Sequence, residues 1–273
     1  CLRKMSMDAE RLKDLFALPP LRSTSGVPDF LFEDERRLAE ADMASDRENA
    51  FKNFFKRWPR FYDRLALCVS PILFTGLTAN AFMRRFVGSE RIVDIGSGHT
   101  RLHPSVVTVD IFPFPNVDVL AAAERLPFVD SAFDVAICDQ VLEHVKDPHE
   151  VMRELLRVTK SGGWIYIGVP FVYPLHPSPK DYARWSTEGV SRLLPGCRIV
   201  EQGVAMGPTS GMLTVFASWL SLLFSFGISP LRKFLNYVFM IVLHPLKYLD
   251  YLLARLPGAE TIAATIYVVA RKD

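Results

Sequence analysis

Two clusters in this 273-residue chain have the residue types and spacing to do chemistry. The first is Val93-Asp94-Ile95-Gly96-Ser97-Gly98, an apolar run ending in a glycine pair, followed by a second run ending in Asp110. Glycines let backbone approach a ligand, and an acid at the end of the next strand accepts hydrogen bonds from ribose hydroxyls. The second is the proline-rich segment 170–187, PFVYPLHPSPKDYARWST, which crowds Tyr173, His176, Asp181, Tyr182, Arg184 and Trp185 together. His176 can act as general base toward an acceptor hydroxyl, because imidazole titrates near working pH. Asp181 can orient it, with Tyr173 as the third catalytic candidate. Tyr182, Arg184 and Trp185 are the substrate-binding candidates, Arg184 through an acidic group on the acceptor. The alternative is that Asp181 and Arg184 pair to brace the loop, with His176 and Trp185 as packing.

A dinucleotide site does not fit the glycine loop. The GxGxxG pattern requires glycine at position 101, which is Arg101. Only about ten residues separate Ile95 from Val106, fewer than a normal crossover needs. The first helix must therefore be about one turn or absent. That removes the helix N-terminus a pyrophosphate uses, so a ligand without phosphate fits better.

Residues 117–170 contain Leu126-Pro127-Phe128, Phe133-Asp134-Val135, Leu142-Glu143-His144-Val145 and Arg157-Val158-Thr159-Lys160-Ser161-Gly162-Gly163, in that order. This run resembles the type 11 family of class I S-adenosylmethionine-dependent methyltransferases. The resemblance implies S-adenosyl-L-methionine as cofactor and S-adenosylhomocysteine as product. It places Asp94, Gly96 and Gly98 at the methionine end, Asp110 on the ribose and Ile111 against adenine. Glu124, Arg125 and Leu126 lie beside the adenine edge, and Asp139 and Gln140 face the methyl-transfer centre. His144 reads as structural or cofactor-side. Two positions depart from the family pattern: Thr100 replaces a third glycine, and Ala122 replaces an acid that contacts the adenine amine. The segment after Pro170 resembles a subset found beside glycan-assembly genes, which implies O-methylation of a membrane-associated or lipid-linked glycan precursor. A quinone-like lipid is the second acceptor. The alternatives are a non-catalytic scaffold that kept the fold, and an RNA methyltransferase.

The elements that must position these residues alternate. Apolar runs at 91–95, 106–111, 133–138, 164–169, 198–203 and 265–270, with a helical pattern over 147–159, argue for a parallel sheet covered on both faces. The expected fold is α/β, a doubly wound, Rossmann-like seven-stranded sheet with a shortened first helix, an N-terminal helical lid and an apolar helical insertion before the last strand. The expected division is an N-terminal segment at 1–45, the lid at 46–87, the methyltransferase domain at 88–203 and 261–273, and the insertion at 204–260. Residues 1–45 read as two short helices. Within them, residues 20–32 resemble the tail of a Trm112-like zinc-ribbon segment, without its metal-binding cysteines. The lid carries Phe51, Phe54, Phe55, Trp58, Phe61 and Tyr62 at helical spacing with basic residues between them.

Thirty-two basic and thirty acidic residues nearly cancel, which argues against a nucleic-acid partner. Cys1, Cys68, Cys138 and Cys197 form no CxxC pair and no zinc-site spacing, so reduced thiols and no metal are expected. No signal peptide is visible in residues 1–15. Residues 204–231 contain no charge. A single membrane crossing there would strand the last strand on the wrong side. The expectation is a helical hairpin dipping into one leaflet, or helices lying in the interface, with Arg232, Lys233, Lys247 and Arg255 toward anionic headgroups. That places the protein in the cytoplasm, peripheral on the inner face of the cell membrane. The alternative is an apolar cap or a homodimer contact.

Overall fold

The computed structural model describes residues 12–47, 70–88, 90–176 and 180–273, with the side chains of 42–47 excepted. Along the chain come β1 (Arg22–Thr24), β2 (Val27–Asp29), α1 (Glu33–Arg47), α2 (Ala79–Met83), β3 (Ile92–Ile95), β4 (Val107–Asp110), β5 (Val119–Leu120) and β6 (Phe133–Asp139). They are followed by α3 (Pro148–Val158), β7 (Thr159–Pro170), α4 (Thr187–Arg192), β8 (Cys197–Met206), α5 (Pro208–Phe224), α6 (Ser229–Leu243), α7 (Asp250–Leu253) and β9 (Thr265–Lys272). The whole aromatic stripe expected on the lid, and Cys1 and Cys68, lie outside the described residues.

The sheet runs β1-β2-β5-β4-β3-β6-β7-β9-β8. Its centre, β5 through β7, is parallel, and β9 lies antiparallel between β7 and β8. Every residue of β3 and β4 is buried, as parallel strands covered on both faces require. The six apolar runs expected as strands are β3, β4, β6, β7, β8 and β9, and the two-residue β5, which matches none of them, joins the same sheet. The N-terminal hairpin adds two more, with β2 parallel to β5.

The sequence reading of residues 1–45 contains no strands there. Among the described residues, a 3-10 turn at Lys13–Leu15 and α1 flank the hairpin. Ser25 and Gly26 both take positive φ, 54° and 81°, the combination a two-residue hairpin turn needs. Asp29 fixes the next step: it is buried, accepts from the Leu31 amide at 3.1 Å and bonds Thr24 and Arg36.

No helix joins β3 to β4. The connection is held by Arg101, whose guanidinium donates to the Val106 carbonyl at 2.9 Å, the Asn116 carbonyl at 2.6 Å and Asp118 at 2.6 Å. Arginine and acid are both buried. The side chain that breaks the dinucleotide pattern thus stands in for the missing helix, satisfying carbonyls that a loop would otherwise leave unpaired. Later, α3 begins on Asp147, which accepts from the amides of His149 and Glu150, and packs Val151, Met152 and Leu155 on the sheet.

The insertion is a helical hairpin. α5 and α6 pack together across a turn at 225–228. Asp250, fully buried, ties it to the body: its carboxylate accepts from the Thr209 amide at 2.7 Å and the Ser210 amide at 2.8 Å, capping α5 from another element. Gly207 makes room for this, since a Cβ there would sit 2.2 Å from the Asp250 carboxyl carbon.

Candidate functional site

The glycine loop folds back over the end of β4, with the Gly96 and Ser97 amides donating to the Val109 carbonyl at 2.9 and 3.1 Å. Gly96 has φ +70°, and a Cβ on it would meet Val141 Cγ2 at 2.3 Å. Glycine is required there on both counts. Asp110 then accepts from the Gly98 amide at 2.8 Å and the Phe112 amide at 2.9 Å. Burial raises its pKa, and these amide bonds hold the rise back.

These residues open on a cavity of about 900 Å³. Gly96, Gly98, Asp110, Ile111, Glu124 and Gln140 line it, six of the ten residues expected to bind cofactor. Gln140 has φ +58°, a conformation rare outside glycine and concentrated at functional sites. Its Nε2 is buried without a hydrogen-bond partner. Asp94, the third residue of β3, and Asp139, the last of the adjacent β6, do not line the cavity. Burial raises the Asp94 pKa well above the usual range, and Asp139 and Asp110 add to the rise. Burial and the neighbouring Glu143 push Asp139 up to about 6. A Cβ on Gly168 would lie 2.0 Å from Asp139 Oδ1, so that glycine makes room for the carboxylate. This crowd of acids favours a cationic ligand.

Arg125 and Leu126 are not part of the cavity wall. Arg125 pairs with Glu35 at 2.9 Å and lies over the Phe32 ring, 3.3 Å from its centroid. It fastens α1 to the body. Leu126 is core, its amide held by Glu154 at 2.6 Å. α1 in turn supplies cavity wall through Asp34, Arg37 and Leu38. The sequence reading missed this contribution, and the acid-rich first turn of that helix was its signal. Ala122, the departure from the family pattern, lines the cavity, whereas Thr100 is exposed.

The loop after β7 folds on itself. Arg184 donates to Asp181 and to the carbonyls of Tyr173, Pro174 and Ala183. Its donors are spent inside the loop, so the bracing alternative describes it and acceptor binding by Arg184 does not. Arg184 pulls the Asp181 carboxyl down to about 2. Asp181 accepts from the His176 amide at 2.9 Å and lies 3.2 Å from His176 Nδ1. Tyr173 and His176 meet ring edge to face at 5.1 Å. Trp185 is half-buried against the core. Tyr182 reaches the cavity, and its amide donates to the Glu143 carbonyl at 2.7 Å.

That last bond joins the loop to the segment 142–145, where a further group stands. Glu143 is fully buried, and neither carboxylate oxygen has a hydrogen bond. His144 Nε2 and His176 Nε2 each lie 3.7 Å from Glu143 Oε1. Glu143 raises the pKa of His176 against the effect of burial. His144 lines the cavity. Glu143 was legible only as part of a family motif, because nothing in the sequence joins it to His176.

A profile described as a methyltransferase domain matches residues 77–167. The ubiquinone biosynthesis O-methyltransferase of Nitrosomonas europaea is 40% identical over 65 residues, 23% of this chain and 26% of that protein. The demethylmenaquinone methyltransferase of Paenarthrobacter aurescens is 37% identical over 82 residues, 30% of this chain and 31% of that protein. The chain thus matches less than a third of the length of either relative. Among solved structures, an S-adenosylmethionine-dependent methyltransferase from Mesorhizobium loti aligns with TM-score 0.43 and 16% identity, over 71% of this chain and 96% of that one.

Proposed function

We propose, from the premise that this chain carries a class I S-adenosylmethionine-dependent methyltransferase domain, that it methylates an oxygen of a membrane-associated acceptor. The observation that carries the cofactor half is the cavity edge where Gly96, Gly98 and Asp110 converge with the unpaired Gln140 amide. When bound, the cofactor supplies an electrophilic methyl group on a sulfonium. Asp110 keeps acceptor capacity for ribose hydroxyls, since each oxygen now takes one amide bond. Asp94 and Asp139 offset the ligand's positive charge. Gln140 donates to a ligand oxygen. At the other end the proton of the acceptor hydroxyl passes to the cluster of Glu143, His144 and His176, with Asp181 orienting His176 as its base.

Calorimetric titration with S-adenosylhomocysteine tests the cofactor half. Micromolar binding is expected, weakened at least tenfold in Asp110→Ala, about 1.4 kcal/mol, through loss of charge-assisted hydrogen bonds. No binding to the folded wild type sinks the reading and leaves a scaffold that kept the fold.

The acceptor half rests on the hairpin. Among the described residues no helix is long and apolar enough to cross a membrane. Yet α6 buries no residue, and Phe216, Trp219, Leu222, Phe226, Phe234 and Tyr237 are exposed across the hairpin. An apolar surface this extended needs a partner. Aromatic side chains beside the exposed Arg232, Lys233 and Arg255 suit a bilayer interface with anionic headgroups. Lys247 drops out of that set, because it is buried and donates to the Ser70 carbonyl at 2.9 Å. Co-sedimentation with vesicles containing anionic lipid is expected for the wild type and lost in Phe216→Glu/Trp219→Glu. Retention by that variant, or a stable dimer with no vesicle binding, refutes the lipid contact. An acceptor held in or at the membrane follows from this reading, and a lipid-linked glycan precursor is the first candidate.

A further inference from the structure

We propose that Glu143, His144 and His176 form a binding site for one divalent first-row transition-metal ion at the acceptor end of the cavity. This rests on the methyl-transfer reading only for the site's role, not for its existence; with the ion bound His176 Nε2 is a ligand, so the base role given to His176 above belongs to the metal-free protein. Each of the three residues offers one ligand atom, and the three atoms lie within 4.8 Å of one another. Both Glu143–histidine separations are 3.7 Å. Bonds of about 2.0–2.1 Å in tetrahedral geometry place ligand atoms about 3.3 Å apart, so small side-chain rotations close the site.

The tautomers favour the same conclusion. His144 Nδ1 lies 2.6 Å from the Lys180 carbonyl, which only accepts, so Nδ1 carries the hydrogen. His176 Nδ1 faces the Asp181 carboxylate at 3.2 Å and the Pro174 carbonyl at 3.3 Å, again acceptors only. In the neutral rings both Nε2 atoms are therefore bare lone pairs, and both lie 3.7 Å from one carboxylate oxygen. Carbonyl and carboxylate groups behind histidine Nδ1 are the outer shell that orients metal-bound imidazoles. The two histidines stand from Glu143 at ion-pair separations of 3.7 Å, longer than a hydrogen bond, and both Glu143 oxygens lack a hydrogen-bond partner in a fully buried side chain. An ion supplies the missing partner.

Two imidazoles and a carboxylate select zinc, iron or cobalt over magnesium or calcium, which take oxygen ligands. Three protein ligands leave a further position, and of the three residues His144 lines the cavity. The absence of metal-site spacing in the sequence does not bear on this, since His176 joins the other two only through the fold.

The test uses chelator-stripped full-length protein titrated with Zn²⁺ and, separately, Co²⁺, with metal content measured after dialysis. The expected result is one equivalent of Zn²⁺ and a visible Co²⁺ absorption of low-coordinate type. Binding should weaken at least a hundredfold in Glu143→Gln and in His176→Gln, and not at all in His149→Ala, whose residue is exposed elsewhere. Circular dichroism on each variant separates lost ligands from lost fold, and the partly exposed His176 gives a variant independent of the buried Glu143. No binding by folded wild type, or equal binding by all variants, overturns the site. A parallel titration with S-adenosylhomocysteine keeps the two readings apart. S-adenosylhomocysteine binding without metal binding overturns only the metal site, and metal binding without it overturns only the methyl-transfer reading.

Discussion

The two ends of the cavity are built by opposite means. At the glycine-loop end, the loop amides and Asp110 are satisfied between the neighbouring strands β3 and β4. Gly96 and Ser97 bond Val109, and Asp110 takes the amides of Gly98 and Phe112. Behind the wall that His144 and Tyr182 line, Glu143 meets His176 across the fold, and a loop braced by Arg184 and Asp181 brings them together. The first end is fixed by strand pairing and turn geometry. The second depends on how a loop and an insertion are tied down, so substitutions far from the cavity should act more strongly on it.

The largest effect tests that dependence. Asp250→Ala leaves the Thr209 and Ser210 amides buried without acceptors, at a cost of about 3 kcal/mol or more from orphaned donors. Thermal unfolding should report the loss, and vesicle binding should fall with it, while S-adenosylhomocysteine affinity in the remaining folded protein stays the same. A parallel loss of ligand affinity would erase the distinction between the two ends. Gly96→Ala probes the rigid end. It forces an alanine into positive φ and against Val141, together about 2–4 kcal/mol, and should lower ligand affinity at least thirtyfold by calorimetry. An affinity equal to wild type would mean that the loop is not the binding edge.

The smallest effect is a pH dependence in the loop after β7. Asp181 has its folded pKa held at about 2 by Arg184, below the ordinary value near 3.9. Its contribution to stability is therefore present in full above about pH 4 and lost as pH falls through about 2. The difference in melting temperature between wild type and Asp181→Asn should be widest at pH 5 and should close toward pH 2. A difference that holds constant over that range would show that the carboxylate charge is not what braces the loop.

What the sequence made legible follows the same division. The glycine pair, Asp110 and the strand runs could be read because their interactions are local and periodic. The missing first helix could be read from chain length alone, but Arg101 as its replacement could not, since its partners Asn116 and Asp118 lie on a later connection. The β1–β2 hairpin was hidden because each strand has only three residues, too few to show alternation. Arg125 fitted a cofactor-binding pattern and serves instead to hold α1, because Glu35 and Phe32 arrive from the far N-terminal side. Glu143 sat in plain view in a motif, but its partner His176 is brought to it only by tertiary contacts.

The pairing of β8 with β9 has a consequence for how such a protein can change. Met206 and Thr265 are register partners in adjacent strands, and the Ala264 amide bonds the Met206 carbonyl at 3.1 Å. The whole apolar hairpin therefore leaves and re-enters the sheet through one doorway about 5 Å wide. Whatever is spliced between those two residues need only close that gap, and the entropy of closure grows slowly with length. The sheet and its cofactor edge can stay constant while the segment between is exchanged, so this doorway is where one catalytic body can be readdressed to a different surface.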